Sequence, residues 1–97
     1  LEVVRAHLGH GYLVEVEVEL DAEVAERGLV ALGKKQPGKA VEWIERAIRA
    51  SPRTAMYWNN LGVARRAAGD LDGAATAHRK ALFLKPGYAS AQNNLGA

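Results

Sequence analysis

The sequence contains no cysteine. That excludes a disulfide framework, a cysteine-ligated zinc and a thiol nucleophile, without identifying a compartment. A strong charge of one sign is also missing: 13 Lys and Arg against 11 Asp and Glu leave a formal net charge of +2. Aromatic residues are only 6% of the chain and do not interleave with the arginines, so Arg46, Arg49, Arg53, Arg65, Arg66 and Arg79 do not read as a nucleic-acid track. No apolar run approaches the roughly 18 residues that span a bilayer. The N-terminus also lacks a basic segment followed by an apolar one and a cleavage site. No nucleic acid and no membrane are therefore expected, and a cytoplasmic location is the default expectation. What is present, 48% hydrophobic and 25% charged residues in a chain of 97, suits one small globular domain or a piece of a larger protein. Leu1, in place of methionine, reads as the start of a trimmed chain or a fragment.

The same four letters, NNLG, occur at 59–62 and 93–96, a step of 34 residues. Shifting the chain by that step puts Gly28 on Gly62, Ala40 on Ala74, Ala47 on Ala81 and Pro52 on Pro86, with Ile48 on the similar Leu82. Small residues and a proline are what close helix packing and helix termination require. Residues 55–63 and 89–97 then share Ala, Asn, Asn, Leu and Gly. The period divides the chain into units 21–54 and 55–88 and a partial unit 89–97.

Each unit reads as two helices. Ala22 to Lys34 and Lys39 to Ala50 form the first pair around Gln36-Pro37-Gly38, with Pro37 suited to a first helical turn. Thr54 is the expected N-cap of a helix that ends near Gly69, and Asp70 the cap of the next. In that next helix Leu71, Ala74, His78, Ala81 and Leu82 share one face, and Pro86-Gly87 stops it. A last helix begins near Tyr88. Gly28 and Gly62 would sit at helix crossings of about 8–10 Å, so Gly62→Leu should loosen the unit. Trp58 is expected to be a half-buried core aromatic beside Leu61 and Leu82.

Trp58, Leu61, Gly62, Ala74, Ala81 and Pro86 resemble the tetratricopeptide repeat, whose 34-residue unit follows W-x2-L-G-x2-Y…A-x3-F…P. Gly28, Ala40, Ala47 and Pro52 match it one unit earlier. Arg65 and His78 depart from the pattern where it prefers aromatics, as do Val24 and Arg27 where it prefers tryptophan and leucine. The resemblance implies a mainly α, helix–turn–helix solenoid of two repeats and a partial third over residues 21–97.

Residues 1–20 follow a different period. Tyr12, Val14, Val16, Val18 and Leu20 alternate with Leu13, Glu15, Glu17 and Glu19, a half-buried strand with an acidic face. "EVVRAHL" can pair with it across Gly9-His10-Gly11. A three-residue loop sets Leu8 opposite Tyr12, Ala6 opposite Val14, Val4 opposite Val16 and Arg5 opposite Glu15, which separates an apolar face from a charged pair. A lone hairpin is marginal in water, so its apolar side should cover the first repeat helix or its edge should pair with another chain.

No catalytic constellation is legible. Ser51 and Ser90 lack an adjacent His and Asp arrangement, and no G-x-x-x-x-G-K run is present to cradle phosphate. His7 and His10 near the turn have no evident third ligand, so no metal and no cofactor are expected. The chain reads as no enzyme.

Function is left to the asparagines. In the family it resembles, the first helix of each unit lines a concave groove, which implies that Asn59, Val63 and Arg66 face it, with Asn60 nearby and Asn93 and Asn94 one unit on. An amide side chain carries both a donor and an acceptor and can grip a peptide backbone without reading its sequence. The arrangement is similar to the asparagine ladder in the repeat arrays of O-linked N-acetylglucosamine transferases and related bacterial proteins, which implies peptide binding and not sugar transfer. The first unit's groove (Ala22, Ala25, Leu29, Leu32) would be apolar and suit a partner's hydrophobic residues. The expectation is a non-catalytic module that binds a peptide or partner protein in this groove. The alternative is a structural unit that forms homodimers through the hairpin edge or the open terminal repeat.

Overall fold

The computed structural model describes residues 2–7, 9–11, 13–18 and 20–96. Its elements run β1 (Glu2–His7), a 3-10 turn (Gly9–Gly11), β2 (Leu13–Val18), α1 (Asp21–Gly33), α2 (Pro37–Ala50), α3 (Ala55–Ala67), α4 (Leu71–Leu84) and α5 (Ala89–Gly96).

β1 and β2 pair antiparallel, with Val4 opposite Val16, Arg5 opposite Glu15 and Ala6 opposite Val14. An Arg5–Glu15 ion pair of 3.2 Å closes the charged side. The expected pairing of Leu8 with Tyr12 and the outward place of Glu19 lie outside the described residues. Val3, Val4 and Leu13 stay exposed, at 54%, 44% and 53%. Val4 is on the expected apolar side, whereas Val3 and Leu13 share the other side with Arg5 and Glu15; the remaining apolar side chains of that expected side in the two strands lie outside the described residues.

The helices repeat in detail. Both first helices end in the same turn: the Gln36 N–H donates to the Ala31 carbonyl and the Asp70 N–H to the Arg65 carbonyl, each at 2.9 Å. That closure needs a left-handed residue, which Gly69 supplies at φ +90° and Lys35 supplies, against the preference of a side chain, at φ +57°. Both second helices end alike, Ser51 N–H on the Ala47 carbonyl and Lys85 N–H on the Ala81 carbonyl, again at 2.9 Å. At the N-termini, Pro37 occupies the first turn of α2 and Asp70 Oδ1 accepts from the Gly73 N–H at 2.9 Å. Thr54 precedes α3 but its hydroxyl bonds Ser51 at 2.6 Å instead of an amide of the helix. A neighbouring hydroxyl three residues away has outcompeted the helix amides for it.

The core runs along the seam between first and second helices. Ala40, Ala47, Ala64, Ala77 and Ala81 are fully buried, and Ile44 and Leu61 are each 1% exposed. Burying either of these two side chains contributes about 1.5–3 kcal/mol. The glycines set how closely the helices approach. A Cβ at Gly28 would lie 2.6 Å from Ile44 Cγ1, and a Cβ at Gly62 would overlap the His78 imidazole. Ile44 and His78 are one repeat step apart, so the same crossing carries an aliphatic side chain in one unit and an imidazole in the next. Trp58 is half-buried against the core, and its Nε1–H donates to the Pro52 carbonyl at 2.8 Å.

Candidate functional site

Asn59 and His78 are the buried polar residues among those described, at 6% and 2% exposure. Burial without partners would be costly for both, and each has one. His78 Nδ1 lies 2.9 Å from Asn59 Oδ1, and Asn94 Nδ2 donates to the same oxygen at 3.1 Å. An amide oxygen only accepts, so Nδ1 carries the imidazole proton and Nε2 is left as an acceptor. Burial lowers the His78 pKa from its usual 6.5, and the nearby Arg66 charge lowers it further, which keeps the ring neutral in this tautomer. One oxygen thus joins α3, α4 and α5.

The six residues expected at a binding surface divide accordingly. Asn59 is inside, holding His78 and Asn94. Asn60 and Asn94 are half-buried, while Val63, Arg66 and Asn93 are exposed. Arg66 and Asn94, from successive units, meet on one hollow of about 200 Å³, whose remaining wall is Leu71, Ala74, Ala75, His78 and Leu95. Its lining combines apolar side chains with a guanidinium, an amide and the His78 imidazole. That combination can seat a small apolar side chain and hydrogen-bond the backbone that carries it. In the first unit Leu29 is exposed at 47% and Ala25 is buried at 6%.

Sequence reasoning missed the bond between Asn59 and His78. Its signal was a pair of departures: an imidazole where the repeat pattern has an aromatic, and an asparagine where the preceding unit has the buried Ala25. It also missed a second tie between units. Tyr57, 5% exposed, donates its hydroxyl to Asp21 Oδ2 at 2.6 Å, linking α3 to the start of α1. Burial first, then the bond to the Asp21 carboxylate and its charge, push the phenol up to about 12. Trp43 carries two cations over its ring, with the Arg27 and Arg46 guanidinium carbons 5.1 and 4.5 Å from the ring centre.

Among the described residues no three His, Cys, Asp or Glu side chains come together as metal ligands. The His10 side chain lies outside the described residues. No helix among them is long and apolar enough to cross a membrane.

Comparison with known proteins agrees with the architecture. The family profile described as tetratricopeptide repeat matches residues 25–89. The chain is 31% identical over 65 residues to the Superkiller protein 3 of Saccharomyces cerevisiae, covering 67% of this chain and 4% of that protein. It is 32% identical over 68 residues to the peroxisomal targeting signal receptor of the same yeast, covering 70% of this chain and 11% of that protein. The chain therefore corresponds to a small part of each of these relatives.

Proposed function

Because the chain belongs to the tetratricopeptide repeat family, we propose that it is a non-catalytic protein–protein interaction module that takes a peptide segment along Asn60, Val63, Arg66, Asn93 and Asn94. The observation that carries this reading is the hollow that Arg66 and Asn94, one from each of two successive units, line together with Leu71, Ala74, Ala75 and Leu95. Asn59 acts from behind: by accepting from Asn94 it fixes the amide that lines the hollow. A relative named as a receptor for a targeting signal supports the same class of partner, a segment of another protein.

The test begins with peptide selection against residues 1–97 and continues with the affinity of a selected peptide for variants. Arg66→Ala and the pair Asn60→Ala with Asn93→Ala should each weaken binding about tenfold or more, as central contacts do. Their unfolding free energies should stay within the range of neutral surface changes, about 0.5 kcal/mol. Unchanged affinity in both variants would sink the reading. Asn94 is left in place because its loss would disturb Asn59.

The exposed apolar residues of the hairpin favour a second reading, self-assembly. A two-stranded sheet with Val3, Val4 and Leu13 in solvent is marginal alone and offers unpaired edges to another copy. Light scattering on residues 1–97 and on 21–97 separates the two readings: a dimer that requires the hairpin supports assembly, whereas a monomer in both removes it.

A further inference from the structure

Phe83 is 78% exposed, more than any other large hydrophobic residue among those described. The repeat's own packing does not require it, because the 34-residue step puts the exposed Arg49 at the same place in the first unit. Nor is it isolated. With Trp58, Leu84 and Pro52 it lines an open hollow of about 650 Å³, completed by Arg53 and Lys80. The hollow shares no lining residue with the one at Arg66 and Asn94. One aromatic of its wall is held in place: the Trp58 indole N–H is tied to the Pro52 carbonyl. The Lys80 ammonium lies 5.7 Å from the Trp58 ring centre and 5.2 Å from that of Phe83. Among the described residues no acidic one lines it, and neither Arg53 nor Lys80 forms an ion pair.

We propose that the hollow between Trp58 and Phe83 is a second docking surface, which takes an acidic segment of a partner protein carrying one aromatic or large apolar anchor residue. The anchor packs against the Trp58 and Phe83 rings beside the Lys80 ammonium, where exposed apolar area is removed from water. Carboxylates on either side of it meet Arg53 and Lys80, which among the described residues have no anion to displace. A nucleic acid would need cations in a row along a backbone; here two cations flank a concave apolar wall. A single anchored side chain with flanking acids fits that geometry better.

The two tryptophans of the chain make the test direct, since each indole N–H gives its own resonance in a 15N-labelled sample. The probe is a hexapeptide of aspartate and glutamate with one central phenylalanine, titrated into residues 1–97. The Trp58 indole resonance should move, and the Trp43 resonance, beside the cations Arg27 and Arg46, should not. Phe83→Ser and, separately, Lys80→Glu should each weaken the interaction about tenfold. Phe83 is so exposed that its serine variant keeps the fold, which an unchanged melting temperature verifies. Replacing the peptide's phenylalanine by alanine should abolish the Trp58 shift. The proposal is overturned by peptide binding that ignores Phe83→Ser, by equal movement of both indoles, or by no movement at millimolar peptide. Tighter binding of a single-stranded oligodeoxythymidine at Trp58 would replace the protein partner by a nucleic acid. A Trp58 resonance that moves with protein concentration alone would make the occupant a second copy.

Discussion

Asn59→Ala should cost far more than the small area it exposes. The substitution strips the partner from the His78 Nδ1–H, on a ring that is 2% exposed. An orphaned buried donor costs about 1–3 kcal/mol, and the half-buried bond from Asn94 adds about 0.5–1.5. A loss near 3 kcal/mol is a large share of the roughly 5–15 available to a domain. At about 4–8 °C per kcal/mol for a domain of this size, the melting temperature should fall by about 12–24 °C. Urea unfolding followed by circular dichroism gives the free energy directly. The decisive variant is the double one, Asn59→Ala with His78→Phe. A phenyl ring over Gly62 is planar like the imidazole, slightly larger, and carries no donor, so it should recover about 1–2 kcal/mol of the loss. The pH dependence offers an independent readout. The folded state holds His78 neutral while the unfolded chain protonates it near the usual 6.5. Its contribution is therefore complete above 6.5 and declines as the pH falls from there through the lowered folded value. His78→Phe should lack that decline. The reasoning is refuted if Asn59→Ala costs less than about 0.5 kcal/mol, or if the two substitutions are simply additive.

Further outcomes follow from the contacts and the backbone. Gly62→Ala gains helix propensity of about 1 kcal/mol but drives its Cβ into the His78 ring, so it should destabilise by about 1–3 kcal/mol net in thermal unfolding. Tyr57→Phe removes the hydroxyl from Asp21 and should cost about 1–2 kcal/mol. In the wild-type chain, spectrophotometric titration should find this phenol ionising near 12, and the stability it contributes should be intact below 10 and lost as the pH rises through about 12. Gly69→Ala should destabilise by about 1 kcal/mol because its φ is +90°, whereas Lys35→Gly, at φ +57°, should leave the melting temperature unchanged or raise it.

Which features were readable from sequence follows from how local each one is. The helical breaks at Pro37, Gly69 and Asp70 and the facing of Arg5 and Glu15 depend on residues close in the chain. Their spacing carries the information. The expected cap at Thr54 failed for an equally local reason, a competing hydroxyl at Ser51 that propensity alone does not rank. The groove asparagines needed more than spacing. Asn59 and Asn60 are adjacent on α3, and the helical period alone did not reveal which amide enters the seam with α4. That depends on the crossing at Gly62 and on what α4 presents there. An imidazole presented by α4 drew Asn59 inward, and Asn94 followed.

By itself the sequence determined the repeat: its 34-residue step, its small residues at the crossings and its terminators act through backbone geometry and close packing, which any copy of the unit must satisfy. The tertiary structure decided what the variable positions do. Tyr57 finds Asp21 across 36 residues, His78 finds Asn59 across 19, and Phe83 is left in solvent where helix periodicity alone is silent. These outcomes depend on which side chains the stacked helices bring within bonding distance, and that proximity exists only after the chain has folded.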